Sequence, residues 1–131
     1  MMRRVDLGYV IVENREGIIW LTFKEGADLD TAEVKEFIKV CNMLSNREPY
    51  LLVSDARVGL TITSEGRKTA ADKREVPNLI ANAVLVNNFA VRLTANFFIR
   101  FNKPHFRYQV FTDEAKALKW LRKYHAQKEL A

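Results

Sequence analysis

Tyr50-Leu51-Leu52-Val53, the apolar run that follows Pro49, is the stretch that sets the fold. Four apolar residues without polar alternation read as a strand buried on both faces, as in the middle of a parallel sheet. Such a strand needs crossover connections on either side, and the flanking sequence supplies them. Upstream, Asp30 can cap a helix, and Glu33 three residues later can return the bond to its backbone. Val34, Phe37, Ile38, Cys41 and Leu44 then recur at helical spacing, while Glu33, Lys35, Glu36 and Lys39 face elsewhere. Further back, Tyr9-Val10-Ile11-Val12 and Ile18-Ile19-Trp20-Leu21-Thr22-Phe23 are β-branched and aromatic, and the polar stretch ending in Gly17 joins them as a β-hairpin.

Downstream, Thr63 and Ser64 open a second helix through about Glu75, whose small or apolar contacts are Gly66, Ala70 and Ala71. Residues 81–86 form another apolar strand, and Asn87-Asn88 turn into a third helix over residues 89–101. Tyr108-Gln109-Val110-Phe111 is a fifth strand, and Thr112 and Asp113 cap a last helix. Its inward stripe is Ala117, Leu118, Trp120, Leu121 and Tyr124, and its wet face Lys116, Lys119, Arg122 and Lys123. The order β-β-α-β-α-β-α-β-α predicts one α/β domain over residues 1–131. A mostly parallel five-stranded sheet carries the helices, and the hairpin adds one antiparallel edge.

The bulk properties agree. A length of 131 residues suits one domain, and 48% hydrophobic residues rule out a disordered or fibrous chain. No apolar run approaches the ~20 residues needed to span a bilayer. The start, Met1-Met2-Arg3-Arg4-Val5-Asp6, meets an acid before any apolar core, so no signal peptide is expected. A lone cysteine, Cys41, makes no internal disulfide and points to a reducing, cytoplasmic setting. Lying on the apolar face of its helix, it reads as a small core side chain rather than a nucleophile.

The net charge of +5 is unevenly placed. Residues 1–63 carry eight basic and ten acidic side chains, whereas residues 92–131 carry nine and three. Such a gradient can steer an acidic partner, or simply wet a Lys- and Arg-rich helix. Interleaved exposed aromatics and a reading motif are both missing, so nucleic acid is not an expected partner.

The predicted helix 89–101 has more apolar surface than one sheet requires. At ~100° per residue, Arg92, Asn96 and Arg100 form one narrow polar strip, and the remainder covers an arc of roughly 240°. Val91, Phe97, Phe98 and Phe101 form a candidate contact surface, with Arg92, Arg100 and Lys103 as a basic strip. Two readings stand. Neighbouring helices and the Lys103–Phe106 loop bury the surplus, or it is a contact patch, with a homodimer the preferred form.

The pattern resembles the STAS superfamily, the domain of sulphate transporters and anti-sigma-factor antagonists, and most closely its uncharacterised single-domain bacterial branch. Asn96-Phe97-Phe98-Ile99-Arg100-Phe101-Asn102-Lys103-Pro104 and Val110-Phe111-Thr112-Asp113-Glu114-Ala115-Lys116-Ala117-Leu118-Lys119-Trp120-Leu121 carry the likeness. The resemblance implies a fold like that of the antagonists. In them a serine of the motif Asp-Ser-Ser-Gly opens the helix after the central strand and is phosphorylated by a partner kinase. Here the stretch reads Thr63-Ser64-Glu65-Gly66, with Ser64 and Gly66 matching and Thr63 and Glu65 departing. Ser64 is therefore a candidate phosphoacceptor, at a helix start whose N–H groups stabilise phosphate. The alternative is that Thr63 or Ser64 simply caps the helix.

Phosphate loops, dinucleotide-binding glycines and the hydrolase elbow are absent from the sequence. His105, His125 and Cys41 make no metal-ligand spacing, so neither metal nor cofactor is expected. Asp55, at the end of the central strand, is the best-placed carboxylate but has no second titratable group assigned to it. The reading is a non-enzymatic domain that acts through protein–protein contact with an unidentified regulatory protein. The alternative is a small apolar-ligand or lipid-binding domain, with a pocket beside helix 89–101.

Overall fold

The computed structural model describes residues 3–87 and 105–125. Eight strands and three helices follow in the order β1 (Arg4–Asp6), β2 (Val10–Arg15), β3 (Ile18–Phe23), β4 (Ala27–Leu29), α1 (Thr31–Leu44), β5 (Tyr50–Asp55), β6 (Leu60–Ile62), α2 (Ser64–Ala71), β7 (Leu79–Leu85), β8 (Arg107–Phe111) and α3 (Glu114–Arg122). The predicted helix 89–101 lies outside the described residues, and so do Val91, Arg92, Phe97, Phe98, Arg100, Phe101 and Lys103.

The main sheet is six-stranded, in the order β1-β2-β3-β5-β7-β8. The five expected strands are all present, and Arg4–Asp6 adds a sixth against β2. β1–β2 and β2–β3 pair antiparallel, and β3–β5, β5–β7 and β7–β8 pair parallel. The parallel part is thus half the sheet plus its boundary strand, a smaller share than the sequence predicts, because the N-terminal hairpin carries an extra strand. At the hairpin tip Glu16 and Gly17 have φ of 54° and 87°, the two positive values of a type I′ turn. The Gly17 amide donates to Asn14 Oδ1 at 2.9 Å.

β5 is buried on both sides as its apolar run requires, with Tyr50, Leu51, Leu52 and Val53 at most 5% exposed. Tyr50 and Leu52 join Val10, Val12, Ile19, Leu21 and Phe23 on one face of the sheet, beneath α1. Leu51 and Val53 join Ile18, Trp20, Ala81, Ala83 and Leu85 on the other, beneath Ala117 and Leu121 of α3. The α1 capping box forms between Asp30 and Glu33, and Val34, Phe37, Ile38, Cys41 and Leu44 are its buried face. Each such side chain contributes roughly 1.5–3 kcal/mol when fully buried.

One expectation needs correction. α2 ends at Ala71 rather than near Glu75, because the Asp72 carboxylate reaches forward to accept the Arg74 amide at 2.9 Å and turns the chain. The inward stripe of the last helix is as expected: Ala117 and Leu121 are buried, and Leu118, Trp120 and Tyr124, partly buried, pack against the same core cluster. Among the described strands β8 is the sheet's last, so the outer rings of α3 have each other and Phe111 as partners. Trp120 lies 5.6 Å from Phe111 and 5.2 Å from Tyr124, between ring centroids.

The feature with no sequence precedent is a second, two-stranded parallel sheet of β4 and β6. β4 leads into α1 and β6 into α2, so this small ladder sets the two helix starts side by side. Thr61 Oγ1 donates to Asp28 Oδ1 at 2.6 Å, and Thr63 Oγ1 donates to Asp30 Oδ1 at 2.8 Å. Gly66 follows, packed so closely that a Cβ would lie 3.3 Å from the Leu29 carbonyl oxygen.

Candidate functional site

Between the α1 face of the sheet and the α1–α2 layer lies a cavity of about 370 Å³. It is an open pocket rather than an enclosed void, and its volume is in the range that takes a small ligand. β3 supplies Leu21 and Phe23, β5 supplies Tyr50 and Leu52, and α1 supplies Phe37, Ile38 and Cys41. Leu29, Leu60 and Ile62 of the small sheet and Ala70 of α2 wall the opposite side, while Leu79 and Val84 of β7 and Tyr108 of β8 extend the sheet wall. Val58 and Thr61 also line it and are solvent-exposed, so it reaches the surface near β6.

Its polar groups are few. Ser54 on β5 donates to Asn82 Oδ1 on β7 at 2.9 Å, so this pair of lining residues is bonded across the strands. Arg67, in the first turn of α2, is half-buried and donates from Nη1 to the Ile62 carbonyl at 3.1 Å. It is the only charged side chain among the described lining residues. Burial pushes the Cys41 thiol well above its ordinary range, keeping it protonated and unreactive, as its place on the apolar face of α1 implied. Burial likewise raises the Tyr108 phenol.

Ser64 stands at the first helical position of α2, exposed, and the capping role falls to its neighbour. Thr63 Oγ1 accepts the Gly66 amide at 3.0 Å. Asp55 is at the strand end on the opposite face. Burial works to raise its pKa, but the Arg57 guanidinium and backbone amide outweigh that and hold the carboxyl below the usual range. Arg57 Nε and Nη2 reach the two carboxylate oxygens at 2.9 and 2.6 Å, and Nη2 also reaches Glu114 at 3.3 Å. His105 is exposed, and partial desolvation with the Lys73 charge lowers its pKa. It converges with neither Asp55 nor Ser64 in any hydrogen bond among the described residues.

The contact surface (Val91, Phe97, Phe98, Phe101) and the basic strip (Arg92, Arg100, Lys103) lie outside the described residues. Among the described residues the exposed large hydrophobics are Met43, on α1, and Val58, in the loop between β5 and β6. No group of three or more His, Cys, Asp or Glu that could hold a metal occurs among the described residues. Nor is any described helix long and apolar enough to cross a membrane. The pocket expected beside helix 89–101 turns on residues outside the described ones, and the sequence marked none of the described lining residues as walls of a cavity. Ser54, Arg67 and Asn82 carry no motif, and only the three-dimensional meeting of β5, β7 and α2 brings them to one wall.

The family model described as Domain of unknown function (DUF7793) matches residues 12–125, and the chain belongs to that family. No curated protein matches it. A solved structure that it resembles is the crystal structure of an uncharacterized protein from the DUF3478 family with a SpoIIAA-like fold, from Shewanella loihica PV-4. The likeness has a TM-score of 0.55 at 14% identity and covers 86% of this chain and 91% of that one. At that identity it shows the fold, which is SpoIIAA-like, as the resemblance to the STAS superfamily implied.

Proposed function

We propose that this member of the DUF7793 family is a non-enzymatic ligand-binding domain, which holds a small apolar molecule between its sheet and the α1–α2 layer. The observation that carries the reading is the cavity of about 370 Å³, walled by Leu, Ile, Phe and Tyr side chains and open to the surface beside β6. Without an occupant this apolar lining faces water, so an apolar molecule that covers it stabilises the fold. Asp55, the best-placed carboxylate, is held ionised by Arg57 and is unsuited to moving a proton near neutral pH, which favours binding over catalysis.

The test uses N-phenyl-1-naphthylamine, an uncharged fluorophore that brightens in apolar surroundings. Saturable binding with one site per chain is the expected result. Ala70→Trp, which fills the cavity from α2, abolishes that binding without lowering the melting temperature. Absence of saturable binding to the wild-type chain overturns the reading.

A second reading, regulatory protein–protein contact, is favoured by the exposed Ser64 at the N-terminal turn of α2, where a phosphate would meet backbone N–H groups. Incubation with the host cell's serine kinases and ATP, read by mass spectrometry, tests it. Modification at Ser64 that disappears in Ser64→Ala supports it, and an unmodified Ser64 overturns it.

A further inference from the structure

We propose that the occupant of the cavity is an uncharged molecule with an apolar body and a carbonyl group, and that the Asn82 carboxamide and the Tyr50 hydroxyl donate to its oxygen. The assignment rests on the ligand-cavity reading above and adds the polar chemistry of the occupant. Both residues line the cavity from the sheet, Tyr50 on β5 and Asn82 on the neighbouring β7. Leu52 stands opposite Asn82 in the parallel ladder and two residues beyond Tyr50, so the three share one face of the sheet.

Each of the two has hydrogen-bonding capacity left over. Tyr50 is 2% exposed, and its phenol makes no hydrogen bond among the described residues. Burial raises that phenol far above its ordinary range, so it stays protonated and is a donor. Asn82 Oδ1 accepts the Ser54 hydroxyl at 2.9 Å, which orients the amide. The two N–H groups of Asn82 Nδ2 have no partner among the described residues.

An unpaired donor on an apolar wall costs affinity once an occupant shuts water out, unless the occupant brings an acceptor. A carbonyl oxygen has two lone pairs and suits two donors. The described residues that line the cavity from the sheet carry no charge, which favours a neutral group there. Arg67, on α2, is already engaged, with its Nη1 on the Ile62 carbonyl at 3.1 Å. Leu21, Leu29, Ile38 and Leu52 provide the surface for the apolar body.

The experiment compares 2-octanone, 1-chloroheptane and octanoate by isothermal titration calorimetry on the full chain. The first two are similar in size, and the chloride is a poor acceptor. In Tyr50→Phe and in Asn82→Leu the ratio of octanone to chloroheptane affinity is expected to fall ~5-fold, the usual worth of one neutral hydrogen bond. The carbonyl stretch of octanone bound to the wild-type chain, read by infrared spectroscopy, is expected below its frequency in hexane.

A ratio unchanged in either variant overturns the assignment and leaves the cavity reading standing. Octanoate binding tighter than octanone to the wild type overturns the uncharged occupant in the same way. Failure of all three to bind overturns both. A bound carbonyl with the same frequency as in hexane overturns the donation to it, and that readout decides the matter even where Asn82→Leu does not fold.

Discussion

The hydroxyl of Thr63 donates to Oδ1 of Asp30 at 2.8 Å, and through that bond the cap of α2 is tied to the cap of α1. Each residue serves two helices. Asp30 accepts the Thr31 amide of its own helix and the Thr63 hydroxyl of the next, while Thr63 also accepts the Gly66 amide. Thr63→Val removes both bonds of the hydroxyl and should destabilise the chain by about 1–2 kcal/mol, measured as a lowered denaturant midpoint. Thr63→Ser should retain most of the stability. The Thr63 hydroxyl is also the main cause holding the Asp30 carboxyl below its ordinary range, ahead of the Thr31 amide. In Thr63→Val the Asp30 titration, followed by NMR, should move back toward that range.

Gly66 poses the opposite problem for a designer of stability. Replacing a mid-helix glycine by alanine usually gains ~0.5–1 kcal/mol. Here the added Cβ would stand 3.2 Å from Ile62 Cγ1, 3.2 Å from Thr63 Oγ1 and 3.3 Å from the Leu29 carbonyl oxygen. That carbonyl cannot give way freely, because it accepts the Thr63 amide at 2.9 Å. Gly66→Ala should therefore lower the melting temperature instead of raising it.

Gly17 is set by backbone alone. Its φ of 87° is open to glycine and strained for other residues. Gly17→Ala should cost about 1–2 kcal/mol by chemical denaturation.

Asp55 gives a pH signature. Its folded-state pKa is depressed, so the stability it contributes is present above the unfolded value near 3.8 and is lost as pH falls through the folded one. Asp55→Asn should be less stable than wild type at pH 6, and the gap should narrow as pH drops toward 3. A gap that stays constant over that range would show that the carboxylate's charge is not what Arg57 holds.

Much of the fold was legible because its signals are local. The capping box of α1 and its five buried positions could be read from the consecutive residues Asp30 to Leu44, and β5 declared its two-sided burial in four. What escaped was non-local. β4 and β6 have three residues each and pair across 33 positions, so neither has a periodicity to detect. The end of α2 depended on one Asp72 side chain. Ser64 was placed at its helix start from the sequence alone. The cavity wall was not, since Ser54 reads as part of a buried strand until Asn82 and Arg67 are brought to the same space.

The ladder of Asp28 with Thr61 and Asp30 with Thr63 joins residues 33 apart in the chain. Each start keeps its local bonds, but the bonds between the two form only when both flanking strands are in place, so this link is expected to close late in folding. Substitutions in this ladder should then act chiefly on the rate of unfolding and leave the refolding rate nearly untouched. The protein's resistance to opening would reside in a knot of four short polar side chains at its rim.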